Sequence, residues 1–173
     1  MAATISRRRL AIEALVTRLA FITRAKDYST DAGAAIYVGE SPKLGPDDAA
    51  DALAVFVRDD LPAEGEPAIT RGATCRYRLP VEIHGITKPQ AGISPGIAYE
   101  GLITDIKEAV EIEGREPGSP SASIDRSLGA PGTTLPTGLS RGQTSVNYRE
   151  GGSEILGVVL EYFIEFEEPW GQP

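Results

Sequence analysis

Histidine, the commonest general base and metal ligand, occurs once in this chain, at His84. It falls on the polar parity at the expected end of a strand. No Ser/His/Asp arrangement can be built around it, and an exposed, inert side chain is expected. Asp47, Asp48 and Asp51 could hold a hard cation, but a calcium loop needs ligands at alternating positions around a central glycine, and that pattern is missing. Glu161, Glu165, Glu167 and Glu168 are spaced closely enough to contain an acid/base pair, although carboxylates this close at a strand end are ordinarily just solvated. The Gly129-Ala-Pro-Gly132 stretch lacks the strand-to-helix setting and the lysine of a phosphate loop. Cys75 sits on the apolar parity of a strand, which reads as a small core residue rather than a nucleophile. A single cysteine gives neither a disulfide framework nor a metal-ligand set. The expectation from the residues is that the chain has no catalytic, cofactor-binding or metal site.

What must be positioned is therefore surface rather than reactive groups. The clearest element is residues 73–83, where Cys75, Tyr77, Leu79, Val81 and Ile83 alternate with Thr74, Arg76, Arg78 and Glu82. A period of two predicts a strand with one buried and one wet face, worth roughly 8–15 kcal/mol if the apolar set is fully buried. Pro80 lies on the wet parity and cannot donate a ladder hydrogen bond, so it marks an edge position, a bulge or a bend. Residues 5–25 predict an amphipathic helix with Ile12, Leu15, Val16, Leu19 and Ile22 as its stripe and Thr4 or Ser6 as N-cap. Arg7, Arg8 and Arg9 in its first turns oppose the helix dipole, which suggests an acidic neighbour. Ser94-Pro95 opens a second helix reaching about Glu113, with Tyr99, Leu102, Ile103, Ile106 and Val110 on one face.

Between these, residues 35–38 and 52–58 predict strands, the second apolar on both faces and hence interior. Residues 41–51 and 59–72 read as loops, the latter a hairpin connection. Residues 114–142 are rich in Gly, Pro, Ser and Thr, with Ile124, Leu128, Leu135 and Leu139 scattered through them. So long a loop is usually functional or mobile. An extended arm that orders against a partner is expected, with a short hairpin near its far end. Strands are then predicted at 143–148 and 154–166. The fold class expected is α+β: a mostly antiparallel sheet with two helices on one face and a long extended loop.

At 173 residues the chain is expected to be one domain, able to bury about 70% of its unfolded surface. Its composition is 41% hydrophobic, with no apolar run long enough for a bilayer and no signal-peptide pattern at the N-terminus; a reducing cytoplasm is the expected site of synthesis. Net charge is −8 and unevenly spread. Residues 1–26 carry Arg7, Arg8, Arg9, Arg18, Arg24 and Lys26 against Glu13 alone, while residues 150–168 carry glutamates and no cation. Such asymmetry bears on association, and an acidic chain is poorly suited to gripping DNA through its phosphates.

Two stretches resemble a known family. The helix ending Leu19-Ala-Phe-Ile-Thr-Arg-Ala-Lys-Asp-Tyr-Ser-Thr-Asp-Ala-Gly33, followed directly by Ala34-Ala-Ile-Tyr-Val-Gly-Glu40, is similar to the opening of tail terminator (tail completion) proteins of long-tailed bacteriophages. The strand Gly157-Val-Val-Leu-Glu-Tyr-Phe-Ile-Glu-Phe166 before Glu167-Glu-Pro-Trp-Gly-Gln-Pro173 resembles their ending. The match covers roughly residues 8–60 and 154–173. Length and composition lead to the expectation of a single domain over residues 1–173, with residues 114–142 as an extended interaction arm. The resemblance implies a non-enzymatic virion protein without cofactor or metal, assembling with itself into a ring, typically a hexamer, at the head-proximal end of the tail tube. Its partners would be the tail tube protein and the head connector or stopper. DNA would pass through the lumen without specific binding, no membrane would be involved, and assembly would occur in the host cytoplasm. Arg7, Arg8, Arg9, Glu161, Glu165, Glu167, Ile124, Leu128 and Leu135 are the expected subunit-interface residues. Another neck ring, such as a head-closure or connector-adaptor protein, and a small ligand-binding or enzymatic α+β domain are the alternatives.

Overall fold

The alternation centred on Leu79 and Val81 extends further than the sequence predicts, because Gly85 and Thr87 continue the buried row beyond Ile83. This strand, β4 (Thr74–Thr87), is paired along its whole length with β8 (Leu156–Pro169), antiparallel. On its other side lies β2 (Asp51–Val57), also antiparallel, and beyond that β1 (Ile36–Val38), which runs parallel to β2. The short β3 (Leu61–Pro62) pairs with Tyr77 and Arg78, and β7 (Gly138–Asn147) pairs with β8 at the far edge. The sheet order is thus β1-β2-β4-β8-β7, with β3 attached to β4. A separate two-stranded ladder joins β5 (Ile112–Glu113) to β6 (Ser123–Ile124). The computed structural model describes residues 6–41, 51–59, 61–62, 74–88, 91–113, 123–124, 138–147 and 156–169.

The expected α+β class holds, with a mostly antiparallel sheet and the helices on one face. α1 (Arg7–Leu19) is capped by Ser6, whose hydroxyl accepts from the Arg9 amide, and α2 (Pro95–Glu111) begins at the expected proline. Every residue of the α2 stripe is buried, and it meets Leu53, Val55, Leu79, Val81, Ile83, Leu160, Tyr162 and Ile164 from the sheet. Pro80 costs the ladder little. Its carbonyl accepts from the Arg58 amide, just past the last β2–β4 pair. A strand residue's N–H and C=O point the same way, so the missing donor falls where β2 has already ended.

One expectation is corrected at the 114–142 stretch: its far end, residues 138–142, is the start of β7 rather than loop. A short ladder joins β5 and β6 at its near end, while residues 125–137, where a hairpin near the far end would fall, lie outside the described residues. β7 escapes a pattern search because only Leu139 and Val146 pack on the core; an edge strand facing solvent has no reason to alternate. Most of the remaining arm, with Leu128 and Leu135, lies outside the described residues.

The far end of α2 is tied to this edge by a buried phenol. Tyr162 on β8 is fully buried and donates to Glu111 Oε1 at 2.9 Å, and the same carboxylate accepts from Arg141 on β7 at 3.2 Å. Burial, then the Glu111 charge, raises the Tyr162 pKa well above its usual 10.0, with Arg141 opposing weakly. The folded protein therefore keeps this proton when the unfolded chain gives it up. Stability from Tyr162 is complete below pH ~10 and falls above it by about 1.4 kcal/mol per pH unit. Tyr162→Phe is expected to flatten that alkaline slope in urea melts between pH 9 and 11; an unchanged slope would remove Tyr162 as its source.

Candidate assembly surfaces

The apolar stripe read along α1 is split by the fold. Ala11, Leu15, Leu19 and Ile22 are fully buried, whereas Ile12 and Val16 turn to the margin and are only half-buried. There they line an open groove whose other wall is β1, through Val38, itself 49% exposed. Arg8, Arg9 and Glu13 are the charged residues that line it. Arg8 also donates to the carbonyl of Arg58 at 3.1 Å, and Arg9 pairs with Glu13 one turn on at 2.7 Å, both partners largely in solvent. Such exposed pairs contribute ~0.3–0.5 kcal/mol and exchange readily.

The two groove walls are held together by the connector from α1 to β1. Gly33 donates to the carbonyl of Ile22 at 2.9 Å and lies so close to the end of α1 that no side chain fits. The Arg24 amide donates to Asp31 Oδ1 at 2.8 Å, and Arg24 Nε to the Ser29 carbonyl at 3.1 Å. From α2, Asp105, only 1% exposed, accepts from the Ser29 amide at 3.0 Å and from the Thr30 amide and hydroxyl, both at 2.8 Å. From β2, Asp51 accepts from the Thr87 hydroxyl at 2.5 Å and the Asp31 amide at 3.2 Å. Asp51 is thus a buried structural acceptor, not a solvated cation ligand; Asp47 and Asp48 lie outside the described residues. Among the described residues no cluster of His, Cys, Asp or Glu could hold a metal ion, and no helix is long and apolar enough to cross a membrane.

The sheet face away from the helices is mixed. Glu82 pairs with Arg58 and lies 3.2 Å from His84 Nε2, and His84 meets the Phe56 ring edge-on at 4.7 Å. His84 is therefore inside β4 and half-buried, not at an exposed strand end, because the strand runs on to Thr87. Arg78 lies over the Phe163 ring at 3.9 Å. Glu161 and Glu165 share this face, folded over β7 at two glycines: a Cβ on Gly142 would meet the Glu161 carboxylate at 2.5 Å, and one on Gly138 the Glu165 carboxylate at 3.2 Å. A register shift between Arg141 and Thr144 leaves the Gln143 amide to donate to Glu161 at 3.4 Å. The bulge so turns Glu161 inward along the sheet.

No family model matches the chain, and no curated protein matches it. Among solved structures, the chain is similar to one in the virion of a native gene transfer agent particle. The similarity has 15% identity and a TM-score of 0.43, over 91% of this chain and 98% of that one. It is also similar to the sheath/tube terminator of an extracellular contractile injection system in its extended state. That match has 11% identity and a TM-score of 0.40, over 99% of this chain and 60% of the other chain's length. Likeness at this level carries no argument about function, which has to come from this chain's own surfaces.

The expected interface residues are not gathered in one place. Arg7, Arg8 and Arg9 stand at the start of α1, and the last two line the groove beside β1, at one edge of the sheet. Glu161 and Glu165 are near the other edge, on β8 against β7, and Glu167 continues β8 opposite Arg76. Ile124 is in β6, paired with Ile112. The sequence missed Asp105 and the groove. Asp105 interrupts the apolar face of α2 three residues after Leu102, and a lone acid on such a face is the signal that could have pointed to it.

Proposed function

We propose that this chain is a structural, non-enzymatic part of a long phage-type tail, forming a hexameric ring at the head-proximal end of the tail tube. The ring ends tube polymerisation and presents a surface to the head connector or stopper. The observation that carries the reading is the separation of opposite charge across the sheet. A groove lined by Arg8, Arg9 and Glu13 lies between α1 and β1 on the helix side, and Glu161 and Glu165 of β8 lie against β7 on the other face of the sheet. A ring of identical subunits needs two different, complementary patches on each copy, and this arrangement supplies them. The helix, tyrosine-containing turn and strand of residues 19–40, and the closing strand of residues 157–166, add the resemblance to tail terminators. A net charge of −8 would let DNA slide through a lumen instead of adhering.

The test is tail length. Tails assembled without this protein are expected to show an unregulated length distribution by electron microscopy, restored when it is supplied. Tails of unchanged length in its absence contradict the reading.

A further inference from the structure

Residues 91–97, where the chain enters α2, are all exposed, and none of them is charged. Two are large and apolar: Ile93 is 41% exposed and Ile97 67%. The backbone of this turn is held in shape. Gly92 has a left-handed φ of 84°, which glycine adopts without strain. Pro95 fixes its own φ, and the Ala98 amide donates to the Ser94 carbonyl at 3.1 Å. One exposed isoleucine would be ordinary, but two on a single uncharged turn make a patch. Among the described residues, the other large apolar side chains this exposed are Phe21 and Val38. Phe21 lies under the Lys26 ammonium, 3.4 Å from the ring centroid. Val38 lines the α1/β1 groove with Ile12 and Val16, and no residue of 91–97 does.

From these features we infer that the Ile93–Ile97 turn of one copy seats in the α1/β1 groove of a second copy. The inference rests on the ring reading and names its contact. Three observations select this occupant. The charges that line the groove are engaged within the subunit, Arg9 by Glu13 at 2.7 Å and Arg8 by the Arg58 carbonyl at 3.1 Å. The groove therefore suits an uncharged guest, since a charged one would lose water without gaining a partner. The turn is apolar and free of charge, as the centre of a stable interface is. It is also ordered before it binds, so seating it costs little chain entropy. Turn and groove are different patches of one chain, so the contact is head-to-tail.

The experiment uses the full chain, with and without tail tubes. Ile97→Asp and Val38→Asp are each expected to weaken self-association in sedimentation velocity on the order of 100-fold, because each places a charge in an apolar contact. Circular dichroism first checks the fold. If either does not fold, Ile97→Ser and Val38→Thr replace them, with an expected loss of about 10-fold. Phe21→Asp, exposed to a similar degree but in neither patch, is expected to assemble like wild type. Proximity is read separately by mixing an Ile97→Cys chain with a Val38→Cys chain and adding a short bismaleimide. The unaltered chain, with Cys75 alone, sets the background. A covalent dimer is expected from the mixture and not from either variant treated alone. Either Asp variant assembling like wild type, or a mixture giving no more dimer than the single variants, overturns the contact while the ring reading stands. An equal loss in Phe21→Asp points to general charge repulsion and also overturns it. A wild-type chain that stays monomeric even with tubes overturns both.

Discussion

Asp105→Ala is expected to destabilise the fold by about 3–5 kcal/mol, from the loss of hydrogen bonds to a buried charged acceptor. The carboxylate is the shared acceptor for the Ser29 amide and for the Thr30 amide and hydroxyl. Thr30 is itself buried, so its donors have no water to turn to. In a domain of this size the loss corresponds to a melting temperature lower by roughly 10 °C. Asp105→Asn separates acceptor loss from packing. Its single carbonyl can still serve the Thr30 pair, but its amide then opposes the Ser29 N–H. A cost of about 1–3 kcal/mol is expected. The effect should also travel, since the same hydrogen bonds fix the connector between the two groove walls. A melt of Asp105→Ala within ~0.5 kcal/mol of wild type would show that α2 does not anchor this connector.

Gly33→Ala is the second large effect, expected at about 2–4 kcal/mol. A Cβ there would overlap the carbonyls of Leu19 and Ile22. Both are backbone atoms at the end of α1, unable to rotate away as a side chain would, so either the helix end or the Ala32–Ala34 turn must move. Gly101→Ala is the contrasting control, because its nearest neighbour would be the Ser29 Cβ at 3.5 Å, and a helix interior favours alanine over glycine by ~1 kcal/mol. Denaturant melts of the two variants are expected to shift in opposite directions. Equal shifts would mean that the close approach at Gly33 is relieved at no cost.

The elements legible in the sequence are those whose side chains divide between water and core. β4 and α2 announce themselves by alternation and by a Ser-Pro start, and both stand where expected. α1 was legible as a helix but not in its rotation, since Ile12 and Val16 belong to the same stripe as Leu15 and Leu19 until a sheet edge decides which are covered. That ambiguity hid the groove. β7 was hidden for the opposite reason: its Gly, Ser, Thr and Gln residues face solvent and glutamates rather than core. Asp51 and His84 were placed by local pattern in a loop and at a strand end. Long-range pairing with Thr87 and Phe56, which no local pattern encodes, puts both inside the sheet. The uneven charge was visible from the start, yet only the fold sets Arg8 and Arg9 beside β1 and Glu161 and Glu165 against β7.

Mixing the purified protein with isolated tail tubes and imaging them by negative-stain electron microscopy tests the central claim most directly. The account predicts closed rings of this chain on one end of each tube, and tubes that no longer grow when tube protein is added. Tube ends left bare, with growth continuing in the presence of excess protein, would contradict it.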